Sequence, residues 1–262
     1  TPGRILEHCQ KGSAVLRDLQ TLVLDEADRM LDLGLRDDVL KIAEFCSPNK
    51  QVLMLSATPG HGGVQTIAKT LLKKPQRIDI SAGRETPEGI AHQLILCDGQ
   101  EHKDKLLLEL LTKETPARAL VFANTRNNAA RLGDLLRTHS LRSATLHGEM
   151  RSENRKSVMD QFHNGKVQIL CASDVAARGI DVPGIELVIN YDIPYSGDDY
   201  LHRTGRTGRA GAQGTAVSLL SASEWNLMVS IQRYLGITLE RRALPGLKAR
   251  YSGPKNVKTN GK

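Results

Sequence analysis

Three carboxylates crowd into four residues at the end of an apolar run: Asp25, Glu26 and Asp28 follow Leu22, Val23 and Leu24. Residues 22–24 read as a buried strand. In open α/β sheets ligands bind beyond the carboxyl ends of the strands, so Asp25 and Glu26 emerge where chemistry is done. An Asp there can hold a hydrated Mg2+, a hard cation that takes oxygen ligands. The adjacent Glu can orient a water and accept its proton during attack on a γ-phosphate. The same acids also suit the first turn of a helix, whose dipole favours negative charge, and the stretch alone leaves both readings open. Ser56, Ala57 and Thr58 end the next apolar run, VLMLSAT (52–58). A small hydroxyl there can hydrogen-bond a carboxylate such as Asp28, although Ser and Thr are commonplace at strand ends.

A set of opposite charge lies far along the chain, in HRTGRTGRAG (202–211). Arg203, Arg206 and Arg209 recur at i, i+3, i+6, a helical spacing that places three cations near one face. They repel one another unless an anion sits opposite. The interleaved Gly205, Gly208 and Gly211 permit close backbone approach, which a solvated basic surface does not require.

The elements that must position these groups alternate almost throughout. TLVLD (21–25) and VLMLSAT read as strands, with a helix over 64–72 before RIDI (77–80). A polar stretch, SAGRETPEG (81–89), with two Gly and one Pro, reads as a linker. Beyond it, strands at IAHQLILCD (90–98), ALVFA (119–123), RSATLH (142–147), QILCAS (168–173), ELVINYD (186–192) and GTAVSLLS (214–221) alternate with helices over 102–113, 127–138, 152–163 and 224–236. Strands rich in Val, Ile and Leu between helices predict parallel sheets covered on both faces. The expected organisation is a first α/β unit over 1–82 with few strands, a linker at 83–89, a complete second unit over 90–240, and a basic, unstructured tail over 241–262.

Composition narrows the partners. The net charge of +7 resides in residues 241–262, which hold seven basic groups and no acid, leaving residues 1–240 balanced at 29 of each sign. Such a tail suits loose binding to a polyanion or a merely solubilising end, and composition does not choose between them. Only 3% of residues are aromatic, which disfavours a protein that reads bases by stacking and directs any nucleic-acid contact to phosphate and sugar. Cys9, Cys46, Cys97 and Cys171 are widely separated, as expected of reduced thiols in a cytoplasmic protein. No apolar run approaches the span of a bilayer, so no membrane role is expected.

DEAD (25–28), SAT (56–58), ASDVAARGID (172–181) and HRTGRTGR (202–209), in that order and joined by VFANTR (121–126) and LHGEM (146–150), resemble the DEAD-box RNA helicases. The resemblance covers essentially all of residues 1–240 and looks most like bacterial members, some of which act in ribosome assembly. It implies two RecA-like domains that close together on ATP and single-stranded RNA, with ribosomal precursor particles among the expected partners. By that similarity Asp25 coordinates Mg2+ through water and Glu26 is the catalytic base. Asp28, Ser56, Thr58 and His202 would bridge hydrolysis to domain closure, and Arg206 and Arg209 match arginine fingers. Asp181 matches a ribose-contacting acid, and Asp174 an acid that positions the motif arginines. Thr1, Gly3 and Arg4 match an RNA-backbone motif of the first domain. Arg155, Ser173, Arg178 and Gly179 match positions near RNA phosphates in the second. Two positions depart from the common pattern: Ser173 stands where Thr is frequent, and Ser152 where Gln is frequent, three residues before Arg155.

The 262 residues contain no GxxxxGK followed by Ser or Thr, the loop whose amides cradle phosphates. GHGG (60–63) has no following Lys, and GRTGRAG (205–211) belongs to the arginine stretch. The family's phosphate loop, adenine-reading motif and first RNA motif precede TPGR. The resemblance therefore implies a first domain without its N-terminal part, a chain inactive by itself, and apolar surface exposed on the remnant.

Overall fold

The computed structural model describes residues 1–32, 34–56, 62–78, 89–177, 180 and 182–253, with the side chains of all but Arg29, Asp32 and Ala210. The chain divides into two compact units, residues 1–80 and 81–262.

In the first unit, Pro2 opens helix α1 (Pro2–Gln10), its fixed φ preset for a first helical turn. Strand β1 (Thr21–Leu24) pairs in parallel with β2 (Gln51–Met54), with Val23 opposite Leu53 and Leu24 opposite Met54. Helices α2 (Ala27–Asp32), α3 (Arg36–Phe45) and α4 (Gly62–Leu71) complete the described elements. Val39, Ile42 and Ala43 of α3 are buried at i, i+3, i+4, the stripe of an amphipathic helix. Leu6, Ile42 and Cys46 form a small core with Leu16 and Leu19.

Residues 22–24 differ from the sequence expectation of a buried strand. Side chains alternate across a strand; Leu24 is buried, but Val23 is 52% exposed, beside Leu53 at 42% and Leu55 at 53%. The described residues cover only one face of this two-stranded sheet, so a run apolar on both faces leaves one face in solvent. The exposed apolar surface expected of this unit is therefore present. Of RIDI, residues 77 and 78 form no regular element, and the rest lies outside the described residues.

The second unit is built on a seven-stranded sheet. In chain order its elements are β3 (Ile90–Cys97), α5 (Gln100–Glu114), β4 (Ala119–Ala123), α6 (Arg126–Thr138), β5 (Ser143–Leu146), α7 (Ser152–His163) and β6 (Ile169–Ser173). There follow α8 (Asp174–Ala177), β7 (Leu187–Asn190), α9 (Gly197–Thr204), β8 (Gly214–Ser221), α10 (Trp225–Leu235) and β9 (Glu240–Arg242). The spatial order is β5-β6-β4-β7-β8-β3-β9, and every pairing is parallel. Strands β4, β6 and β7 are buried along their whole length. Val121 and Ile189 face one core with Leu106, Leu110, Leu132 and Leu136 of α5 and α6. Leu120, Phe122 and Val188 face the other with Phe162 of α7. Two-sided burial is what the continuous apolar runs predict for this unit.

Residues 241–251 are not the unstructured tail expected of them. β9 adds to the outer edge of β3, Gln93 opposite Glu240 and Ile95 opposite Arg242. Leu244 is buried in the α5–α6 core, with Leu247 packed against it. The Asp98 carboxylate accepts hydrogen bonds from the amides of Arg250 and Tyr251, both 2.9 Å, and the Arg241 guanidinium lies 5.2 Å from the Trp225 ring centroid. The basic composition hid this strap because its anchors are backbone pairing and two leucines. Residues 254–262 lie outside the described residues, as do residues 81–88 of the expected linker.

Candidate functional site

In the first unit the acids leave β1 at its carboxyl end. Asp25 and Glu26 are exposed and Asp28 is 6% exposed in the first turn of α2. The Asp25 Oδ1 accepts from the Glu26 amide at 2.9 Å. Leu55 N donates to Leu24 O at 2.8 Å and Ala27 N to Leu55 O at 3.0 Å, so β2 stitches the turn from both sides. Within it Glu26 takes φ +50°, a left-handed conformation that costs a non-glycine residue about 1–2 kcal/mol. Strain of this kind is concentrated at functional positions. Ser56, half-buried, follows the adjacent strand β2, so the acids and this hydroxyl share one sheet end. Thr58 lies outside the described residues.

Asp25 suits a magnesium ion chemically. It offers an exposed oxygen donor at the sheet end, and among the described residues no cluster of three His, Cys, Asp or Glu could cage a metal. Mg2+ typically keeps several waters and binds through one or two carboxylates plus the phosphates of its substrate. One carboxylate at this edge fits that pattern.

Thr1 stands at the N-cap position of α1 without a capping hydrogen bond from its side chain, and Pro2, Gly3 and Arg4 form the first turn. Arg4 Nη1 donates to Glu7 Oε2 at 2.8 Å, and Lys11 Nζ to Glu7 Oε1 at 2.5 Å. The hydrogen bond from Lys11, then the charge of Arg4, hold the Glu7 carboxyl below its ordinary range.

In the second unit, the carboxyl ends of β4, β6 and β7 converge on Arg203. Arg203 is 1% exposed, with Nε to Asp174 Oδ1 at 2.6 Å and Nη2 to Asp174 Oδ2 at 2.7 Å. Its Nη2 also donates to Asn124 Oδ1 and its Nη1 to Asp192 O, both at 2.7 Å. The guanidinium lies 5.3 Å from the Phe122 ring centroid. Asp192 Oδ2 in turn accepts from Asn124 N at 2.9 Å and Asn128 Nδ2 at 2.8 Å. The three arginines therefore do not share one helix face: α9 ends at Thr204, Arg203 turns into the core, and Arg206 and Arg209 follow the helix. The anion that offsets Arg203 is Asp174. Nothing in the spacing distinguishes a buried arginine from a surface one, and Asn124 and Asp192 had no signal of their own beyond lying in VFANTR and at the end of ELVINYD.

Arg206 Nη1 donates to Ile180 O at 3.0 Å and its Nε to His202 O at 3.2 Å; Arg209 Nε donates to Gly205 O at 2.9 Å. His202 is half-buried in the last turn of α9. Ser173, 8% exposed, ends β6, and Arg155 of α7 donates from Nη2 to Ala176 O at 2.8 Å, next to it in α8. Arg178, Gly179 and Asp181 lie outside the described residues.

Comparison with known proteins agrees with this architecture. Residues 1–67 match the family of DEAD/DEAH box helicases and residues 102–211 that of the helicase conserved C-terminal domain. The ATP-dependent RNA helicase SrmB of Haemophilus influenzae is 41% identical over 98% of this chain and 58% of its own length, and that of Escherichia coli 37% over 99% and 58%. The chain thus spans a little over half the length of these relatives. The structure of Saccharomyces cerevisiae Dbp5 bound to RNA and ADP BeF3 matches with TM-score 0.84 and 31% identity, over 92% of this chain and 64% of that one. Escherichia coli SrmB bound to regulator of ribonuclease activity A matches with TM-score 0.61 and 38% identity, over 63% of this chain and 98% of that one. The parallel α/β units are of the RecA-like kind found in these helicases. With both helicase models matched in order and bacterial relatives similar along nearly its whole length, the chain belongs to the DEAD-box RNA helicase family.

Proposed function

We propose that the chain carries the water-activating acids and the arginines of an ATP-dependent RNA helicase. Asp25 holds Mg2+ through water, and Glu26 takes the proton of the water that attacks the γ-phosphate. Arg206 and Arg209 neutralise charge developing in the transition state, a contribution of about 10³–10⁵ in rate for an arginine finger. Asp28, Ser56, Thr58 and His202 link hydrolysis to closure of the two units, and Asp181 holds the ribose. RNA is gripped by its phosphates through Thr1, Gly3, Arg4, Arg155, Ser173, Arg178 and Gly179, contacts that position without reading sequence. Closure bends one strand in a way a duplex cannot follow, so strands separate locally. RNA duplexes in the cytoplasm, ribosomal precursor particles among them, are the substrates this reading assigns.

The observation that carries this reading is the Asp25–Glu26 turn: two exposed carboxylates at the carboxyl end of β1, the second held at φ +50°. The test is RNA-stimulated phosphate release in a form of the protein that also carries a phosphate-binding loop, with DNA as the control. Stimulation by RNA and not DNA is the expected result; equal stimulation by DNA would make it a DNA translocase.

A second reading is an RNA-binding module without turnover, favoured by the lack of a GxxxxGK loop in these 262 residues. Here the second unit and the basic tail over 241–262 bind RNA regardless of ATP, and the chain releases no phosphate. Phosphate release by this chain, or an RNA affinity that changes with ATP, would exclude that reading.

A further inference from the structure

Two residues separate Arg206 from Arg209, and one of them, Gly208, has no side chain. The other, Thr207, is 2% exposed, and its Oγ1 donates a 2.5 Å hydrogen bond to the Ile185 carbonyl. Its amide donates to Thr204 O at 3.1 Å. The surroundings are shaped around this hydroxyl. A Cβ on Gly214 would overlap Thr207 Oγ1, and one on Gly208 would fall 2.5 Å from Ile90 Cγ1. Gly208 takes φ +67°, where a side chain is strained. Gly214 N donates to Gly89 O at 2.9 Å, which ties the far end of the segment to the start of β3.

The consequence concerns direction. An arginine that stabilises a transition state must be held in place before the charge develops. A long, flexible side chain inherits its direction from the backbone beneath it, and this turn contains a glycine. The Thr207 hydroxyl is the sole side-chain anchor available between the two arginines. Its acceptor, Ile185, lies five residues after Ile180, whose carbonyl receives Arg206.

We propose that Thr207 is a positioning residue for Arg206 and Arg209, its bond to the Ile185 carbonyl fixing the turn that aims both guanidiniums. The proposal rests on the nucleotide role given to those arginines above.

Thr207→Val keeps the shape and removes the hydroxyl; Thr207→Ser keeps the hydroxyl. In the loop-bearing form, the Val variant is expected to lower kcat for ATP about tenfold with KM for RNA unchanged, because misplacing a reacting group is felt in the chemical step. The Ser variant is expected to stay near wild type. In the 262-residue chain, amide hydrogen exchange over 205–214 should quicken in the Val variant alone, while β4 and β6 keep their protection. The proposal is overturned if the Val variant matches wild type, if Ser is as impaired as Val, or if exchange rises equally in β4 and β6. A wild-type protein without RNA-stimulated turnover would overturn the nucleotide reading, and exchange would still decide whether the hydroxyl fixes the turn.

Discussion

Arg203 and Asp174 meet side-on, Nε to Oδ1 at 2.6 Å and Nη2 to Oδ2 at 2.7 Å, with the arginine closed to solvent. The pair joins α9 to the start of α8 and sits where the ends of β4, β6 and β7 converge. A guanidinium in this position completes its hydrogen bonding with Asn124 and the Asp192 carbonyl.

Removing one partner of a buried pair leaves the other charge uncompensated, a loss of about 3–5 kcal/mol. Asp174→Asn, which strands a guanidinium closed to solvent, should therefore lower the unfolding free energy of the second unit by roughly that amount. Arg203→Met should cost less, because the carboxylate it leaves unpaired is 26% exposed. Denaturant titration of the double variant should show a loss well below the sum, because the two changes share one interaction. Additive losses would mean the pair is not the source of the stability.

Glu26 offers a test of backbone strain separate from chemistry. At φ +50° a glycine escapes the left-handed penalty that alanine retains. Glu26→Gly should unfold at higher denaturant than Glu26→Ala, by about 1 kcal/mol, although neither can activate water. Equal stabilities would show that the turn relaxes once the carboxylate is gone.

Glu224 makes the second unit sensitive to acid. Burial alone would raise its pKa, but the Lys103 ammonium at 2.8 Å and hydrogen bonds from Lys103 and Ser221 outweigh it and hold the carboxyl below its ordinary value. A group whose folded pKa is depressed stabilises the fold above its unfolded pKa and loses that contribution as pH falls through the folded one. Glu224→Gln should thus destabilise the unit at neutral pH by about 1.5–3 kcal/mol, with the gap to wild type closing below roughly pH 4. A gap independent of pH would remove Glu224 from this role.

The strap and the residues beyond it should separate cleanly by deletion. Removing 241–262 takes away two of the three residues of β9, Leu244 and the donors to Asp98, and should unfold or loosen the second unit. Removing only 254–262 takes away Lys255, Lys258 and Lys262. If those lysines touch RNA, the salt dependence of binding becomes shallower by about 0.7 for each phosphate no longer neutralised. An unchanged slope makes them solubilising only.

Strands β3 to β8 and helices α5, α6, α7 and α10 were legible because two-sided burial leaves long apolar runs and amphipathic helices leave a period, whereas the short α8 and α9 were not read as helices. The acid cluster was legible from its place after such a run, and the family from the order of its motifs. Less visible was how the charges are used. The i, i+3, i+6 arginines looked like one surface, whereas Arg203 is buried on a carboxylate 29 residues away in sequence. Asn124 and Asp192, which complete its shell, are ordinary polar residues until the strand ends meet. Val23 read as core because a strand apolar on both faces gives no hint of which face lacks a cover. The strap read as a tail because charge dominates its composition, while Leu244 and the edge pairing of β9 hold it down.

In the proposed function the Asp25–Glu26 acids and the Arg206–Arg209 guanidiniums act on one triphosphate. Single-turnover ATP hydrolysis with RNA, in the loop-bearing form, tests it through a double-mutant cycle. Arg209→Ala alone should slow hydrolysis about 10³-fold or more, Glu26→Gln alone should slow it further to a low but measurable rate, and the two together should be no worse than Glu26→Gln. Near-normal turnover in Arg209→Ala, or losses that multiply as independent sites would, contradicts the claim.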